Sequence, residues 1–179
     1  YWPSADYIFG NRPFVGAKWI NEEHRTAFNS IMSDVPKSGL LDFVCAWYVK
    51  AAQIIKLSPN VRCAFVSTNS ITQGEQAPIL WSHLFSQGIY INFAHRTFQW
   101  QSSARGKAAV HCVIIGFSLK NDEYKIIFDY PDIKGSPVVI HAKNINSYLV
   151  SAGNTLIESR RAPLCSTNSI IRGTIPYDD

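Results

Sequence analysis

Asn11, followed by Arg12, Pro13 and Phe14, is the cluster in this chain best suited to chemistry on a flat aromatic amine. The Asn11 side-chain carbonyl accepts a hydrogen bond from an exocyclic amine, and the backbone carbonyl of Arg12 offers a second acceptor. The Phe14 ring can stack on a nucleobase held between them. Tyr7, Ile8 and Phe9 form the brief apolar run expected of a strand covered on both faces, and Gly10 and Pro13 stop it. Asn11 therefore belongs at a strand's carboxyl end, the edge at which α/β sheets collect ligands. An asparagine before a proline turn also serves simply as a turn residue, and residues 11–14 by themselves leave both roles open.

Other chemistries find less support. Cys45, Cys63, Cys112 and Cys165 lie far apart, without the two-residue spacing of a zinc knuckle or a redox pair, and read as free thiols. His24, His83, His95, His111 and His141 show no ligand spacing either, so no metal is expected. Gly74 and Gly106 stand alone, and Gly10 and Gly16 are not in the context of a phosphate or dinucleotide cradle. The net charge of +4 is uneven: residues 61–120 hold five basic side chains against one acidic, while the flanking thirds are nearly balanced. Arg96, Arg105 and Lys107 interleave there with Phe98 and Trp100, and cations beside rings suit a polymer with phosphates outside and bases inside. An ordinary solvated hairpin accounts for the same charges.

The elements that must position these residues follow an α/β pattern. Residues 21–32 read as an amphipathic helix with Glu22 and Glu23 in its first turn, where the macrodipole favours acids. After a loop with Pro36 and Gly39, residues 40–56 are apolar almost all round, as in a helix buried against a sheet. Residues 61–66 form the next strand. The polar cluster Ser67-Thr68-Asn69-Ser70 is expected to cap a helix over 72–86 that Gly88 ends. Residues 89–93 are a third strand, and residues 108–119 a fourth, expected to pair with 124–130 across the polar turn 120–123. Such an order matches the second half of a doubly wound sheet ending in an antiparallel hairpin.

Beyond Pro131, frequent Pro, Gly and Asn interrupt any sustained periodicity, as in a linker and the start of another module. The 179 residues, 46% hydrophobic and 17% charged, have a globular balance. With no apolar run of membrane-spanning length and no signal-like leader, a cytoplasmic protein without a membrane partner is expected. The start at Tyr1 suggests a piece of a longer polypeptide.

The Asn-Arg-Pro-Phe segment resembles the catalytic motif of S-adenosylmethionine-dependent DNA adenine methyltransferases, which reads Asn-Pro-Pro-Phe or Asn-Pro-Pro-Tyr after a strand. The resemblance continues through Gly16-Ala17-Lys18, Leu41-Asp42-Phe43 with Ala46-Trp47-Tyr48, Phe65 to Ile71, and Ala104 to His111, covering about residues 5–150. It is similar to large bacterial enzymes in which the methyltransferase is fused to a target-recognition domain, often with a nuclease, as in type IIL restriction–modification proteins. This implies a partial Rossmann-like class I methyltransferase fold. Residues 1–130 would be the C-terminal half of the catalytic domain, and 131–179 the linker and start of the target-recognition region.

The resemblance further implies S-adenosylmethionine as cofactor, with double-stranded DNA and the remainder of the parent polypeptide as partners. In this family the donor-binding strands precede the catalytic motif, so the chain alone is expected to be inactive. A flipped adenine would be gripped by Asn11 and the Arg12 carbonyl and stacked on Phe14, with Phe98 or Trp100 as a second wall and Asn69 facing the same cleft. Cytosine-N4 chemistry needs the same groups. Arginine at position 12 keeps the carbonyl but removes proline's torsional constraint, which makes a DNA-binding module that has lost catalysis the alternative reading.

Overall fold

In the computed structural model, which describes residues 4–100 and 110–160, six strands form one mixed sheet. They are β1 (Tyr7–Asn11), β2 (Arg62–Thr68), β3 (Tyr90–Trp100), β4 (Val110–Ser118), β5 (Lys125–Asp129) and β6 (Val138–Ala142), in the spatial order β1-β2-β4-β3-β5-β6. β1 runs parallel to β2 and β3 parallel to β5; β4 is antiparallel to both β2 and β3, and β6 antiparallel to β5. Helices α1 (Glu22–Ile31), α2 (Cys45–Leu57) and α3 (Gln76–Ser86) supply much of the core packed on the sheet. This is the expected α/β architecture.

The helices form for local reasons. Asn21 caps α1, its side chain accepting the His24 N–H at 2.8 Å, and Glu22 and Glu23 occupy the first turn as anticipated. In α2, Ala46, Tyr48, Val49, Ala51, Ala52 and Ile55 are buried, which explains why its pattern is apolar almost all round. Tyr48 is the hub of the core. Its ring meets Phe65 of β2 edge-on at 5.3 Å and Trp81 of α3 at 5.8 Å, and stacks on Phe117 of β4 at 5.1 Å. A buried phenol needs a partner, and Ser67 Oγ provides it at 2.8 Å; burial still pushes the Tyr48 pKa well up.

β1 is not covered on both faces as expected: it is the edge strand of the described sheet, with Tyr7 68% and Phe9 78% exposed on its outer face. Two further local expectations are corrected. The hairpin between the fourth and fifth strands does not form: β4 pairs with β2 and β3, and β5 lies on the far side of β3. β3 is the cause, because it continues through residues 94–100 and gives β4 a full-length partner. Register shifts at Ile91/Phe93 and His95/Phe98 break the alternation that would have revealed it. Asn92 then steers the chain over β3. Its Nδ2 donates to Ser118 Oγ (2.8 Å) and Lys120 O (2.9 Å), its Oδ1 accepts from Asp122 N (3.1 Å), and Asp122 makes a two-pronged ion pair with Arg62.

The second correction concerns residues 67–70, which do not cap α3. Asn69–Thr72 is a 3-10 turn, and α3 starts later, after Glu75, without a side-chain cap. The hydroxyls of Ser67 and Ser70 are committed to Tyr48 and Asp42 instead. After residue 130, β6 extends the sheet, and Ile145 and Leu149 pack into the same core.

Gly116 of β4 lets the Phe93 ring lie across its Cα: a methyl there would come within 2.1 Å of Phe93 Cε1. Gly116→Ala is expected to lower stability by about 1–3 kcal/mol, read from the guanidinium denaturation midpoint. Phe93→Leu in the same background should recover part of the loss.

Candidate active site

β1 and β2 run parallel, so their carboxyl ends fall at the same edge, and Asn11 closes β1 in register with Val66. Successive residues point to opposite faces of a strand. Gly10 pairs with Phe65, whose ring is in the helix-covered core, and the Arg12 guanidinium lies over Gly10 on that side. Asn11 between them is exposed, as is Pro13, while Phe14 is half-buried. The Arg12 guanidinium sits 4.4 Å from the Trp47 ring centroid and 4.9 Å from that of Phe65. Its burial lowers the Arg12 pKa, with Cys63 acting weakly in the opposite sense.

The loop after Phe14 is tied down by the start of α2. Phe43 N donates to Val15 O at 2.9 Å, and Ala17 N donates to Asp42 Oδ1 at 3.0 Å. Arg25 Nη2 donates to Ala17 O at 2.5 Å, joining α1 to the same loop. The other Asp42 oxygen accepts from Ser70 Oγ at 2.6 Å, Ser70 in turn bonds Thr68 Oγ1 at 2.7 Å, and Asp42 N donates to Gln76 Oε1 at 3.1 Å. Asn69 is thereby held between two anchored neighbours at the carboxyl end of β2, one strand spacing of about 5 Å from β1. Sequence reasoning assigned no role to Asp42 and gave Ser70 only a helix-capping one. The available signal was an acid inside an otherwise apolar helix pattern.

The remaining candidates lie farther along the same edge. Phe98 pairs in register with Cys112, which pairs with Thr68, so it stands in the row just past Asn11 but two strands beyond β2. Its ring is 5.4 Å from Tyr130 and 6.4 Å from His95. His95 stacks on Phe128 at 4.2 Å and bonds the Tyr130 hydroxyl at 2.8 Å; burial lowers its pKa. Neither His95 nor Tyr130 was singled out beforehand. Arg96 is ion-paired with Asp129 at 2.8 Å. Trp100 is the last residue of β3, opposite Val110. Arg105, Lys107 and Cys165 lie outside the described residues.

The thiols of Cys45, Cys63 and Cys112 are free and buried. Burial pushes Cys63 up to about 12 and Cys112 up to about 11, so both are protonated at neutral pH and poor nucleophiles. Among the described residues no cluster of His, Cys, Asp and Glu is arranged to hold a metal ion. No described helix is long and apolar enough to cross a membrane. A cavity of about 690 Å³ opens between residues 34–40 and α3, lined by Asp34, Lys37, Pro78 and His83, and contains none of the candidates. A smaller one of about 350 Å³ borders Arg96, Thr72 and Tyr148.

Because one carboxylate serves two donors, Asp42→Ala is expected to cost about 2–4 kcal/mol, against about 1 kcal/mol for Ser70→Ala. Asp42→Asn, which keeps one acceptor, should fall between them in calorimetric unfolding.

Comparison with known proteins places this geometry. The chain is 38% identical over 175 residues to DNA methyltransferase A of Bacillus subtilis (strain 168), matching 96% of this chain and 19% of that protein. It is 50% identical, with a TM-score of 0.86, to a solved structure of the type IIL restriction–modification enzyme MmeI in complex with DNA, covering 90% of this chain and 22% of that one. The chain thus spans about a fifth of the length of these relatives. Residues 3–129 match the family model described as MmeI, DNA-methyltransferase domain. With more than half its length inside that model and its Asn-Arg-Pro-Phe turn at the sheet's carboxyl edge, the chain belongs to the MmeI DNA-methyltransferase domain family.

Proposed function

We propose that this chain is the substrate-gripping half of a site-specific DNA methyltransferase that acts on the N6 amine of a flipped-out adenine, with the methyl supplied by S-adenosylmethionine. The observation that carries the reading is the exposed Asn11 at the carboxyl end of β1, beside the end of β2, within the family match. Asn11 Oδ1 and the Arg12 carbonyl accept the two amino protons, and Phe14 stacks on the ring. Fixing both protons points the nitrogen lone pair out of the acceptor plane, so the barrier falls through orientation and preorganised dipoles, without a covalent step at the protein.

S-adenosylmethionine brings an electrophilic methyl on a sulfonium. The described residues do not themselves fit it: no glycine-rich strand-to-helix turn is present among them, and Gly10 serves to accommodate Arg12. The donor site is accordingly assigned to the remainder of the parent polypeptide, and residues 1–179 alone are expected to transfer nothing. The family match ends at residue 129, which favours 1–130 as methyltransferase and 131–179 as the approach to target recognition, with β6, Ile145 and Leu149 of the second segment still built into the sheet and core of the first. Phe98, with Trp100, is proposed as the second aromatic wall, and Asn69 as a polar contact in the cleft. Arg105 and Lys107 are proposed as DNA-backbone contacts, and Arg96 as a contact already shared with Asp129. A DNA-binding module without catalysis is the second reading, favoured by the single observation that position 12 is not proline.

Tritiated methyl transfer to unmethylated DNA by the full-length parent protein tests both. Asn11→Ala is expected to lower kcat at least 10²-fold, on the scale of losing one preorganised acceptor, with DNA affinity nearly unchanged. No transfer from the wild-type protein with donor bound establishes the non-catalytic reading instead.

A further inference from the structure

The side chain of Arg12 answers what takes over when the catalytic turn lacks its usual proline. Its guanidinium carbon lies 4.4 Å from the Trp47 ring centroid on α2 and 4.9 Å from the Phe65 ring centroid on β2. Gly10 leaves that space open: a methyl on it would come within 3.3 Å of the Arg12 Cζ. The Nε is buried without a hydrogen-bond partner. A group placed to bind phosphate keeps its donors toward solvent, whereas this half-buried one has its Nε out of water and its guanidinium against two aromatic rings.

We propose that Arg12 is a positioning residue, whose cation–π clamp onto Trp47 and Phe65 aims its own backbone carbonyl and the adjoining Asn11. The inference rests on the methyltransferase reading above and deepens it. Proline fixes φ covalently through its ring; here the torsion is fixed from the far end of the side chain, by rings on two other elements. The planar, delocalised guanidinium suits this, because it stacks on aromatic faces and remains charged at any relevant pH. The same burial lowers the Arg12 pKa, with Cys63 acting in the opposite sense. The same turn thus sends the Arg12 side chain inward as an anchor and leaves that of Asn11, just before it, outward for substrate.

The test uses the full-length parent protein and steady-state methyl transfer, with thermal midpoints confirming that each variant folds. Arg12→Met should lower kcat about tenfold while KM for DNA and for donor stays within about twofold, as expected for a misaimed acceptor. Arg12→Lys should regain part of the loss, since it keeps the cation but not the plane. Trp47→Leu should reproduce the loss, and the Arg12→Met/Trp47→Leu pair should lose little more than either alone, as residues acting through one contact do.

Multiplying losses in the pair would overturn the clamp. So would an Arg12→Met variant with intact kcat, a raised KM for DNA and a shallower salt dependence, the signature of a phosphate contact. Asn11→Ala run alongside separates the two levels. If it abolishes transfer while Arg12→Met does nothing, the clamp alone fails; if it leaves transfer intact, the site reading fails and the clamp with it.

Discussion

The Asp42 carboxylate accepts hydrogen bonds from Ala17 on one side and Ser70 on the other, and its own N–H reaches Gln76. The loop after β1, the carboxyl end of β2 and the first turn of α3 are therefore all referenced to the start of α2. Hydrogen bonds to a charged acceptor contribute roughly 1.5–3 kcal/mol each, a considerable part of the 5–15 kcal/mol by which domains are stable. Without this node, Asn11 and Asn69 would still end adjacent strands, but the loops carrying their neighbours would have no common anchor.

What makes the node firm is the layer beneath it. Asp42 lies just ahead of α2, Trp47 in its first turn and Tyr48 next to it, and Tyr48 is wedged among Phe65, Trp81 and Phe117. The start of α2 consequently cannot shift without disturbing rings from β2, α3 and β4 together. Two polar atoms buried in this packing are satisfied locally: the Tyr48 hydroxyl by Ser67, and the Trp81 Nε1, which donates to Ile71 O at 2.9 Å. A rigid apolar layer holding a polar edge is the general means of placing reactive groups on loops.

Features set by near neighbours in the chain were legible in the sequence. The Asn21 cap, the two glutamates after it, the apolar wrap of α2 and the position of Asn11 at a strand's end all follow from periodicity and turn chemistry. Features set by distant partners were not. Which strand sits beside β4 depends on the irregular continuation of β3 and on Asn92 gripping residues 118–122, neither of which leaves a periodic trace. The serines after β2 look like helix caps until Tyr48 and Asp42, 19 and 28 residues away, are seen to engage them. The sequence shows at Arg12 only the loss of proline's constraint, because the rings its side chain meets lie on two other elements.

The placement of β4 has a consequence for how the molecule assembles. β2 and β3 share no direct pairing, and β4 alone bridges them. During synthesis the β1–β2 ribbon exists before the strand that joins it to the rest of the sheet, and β3 emerges while the slot between it and β2 is still empty. Closing one sheet must wait for residues 110–118, which follow β3 closely in the chain but must reach back past α3 to β2, and that second pairing closes a long loop, an entropic toll typical of slowly folding non-local topologies. The nascent chain thus carries two unsealed strand edges until its centre is filled, and that interval is when it most needs shielding from other chains.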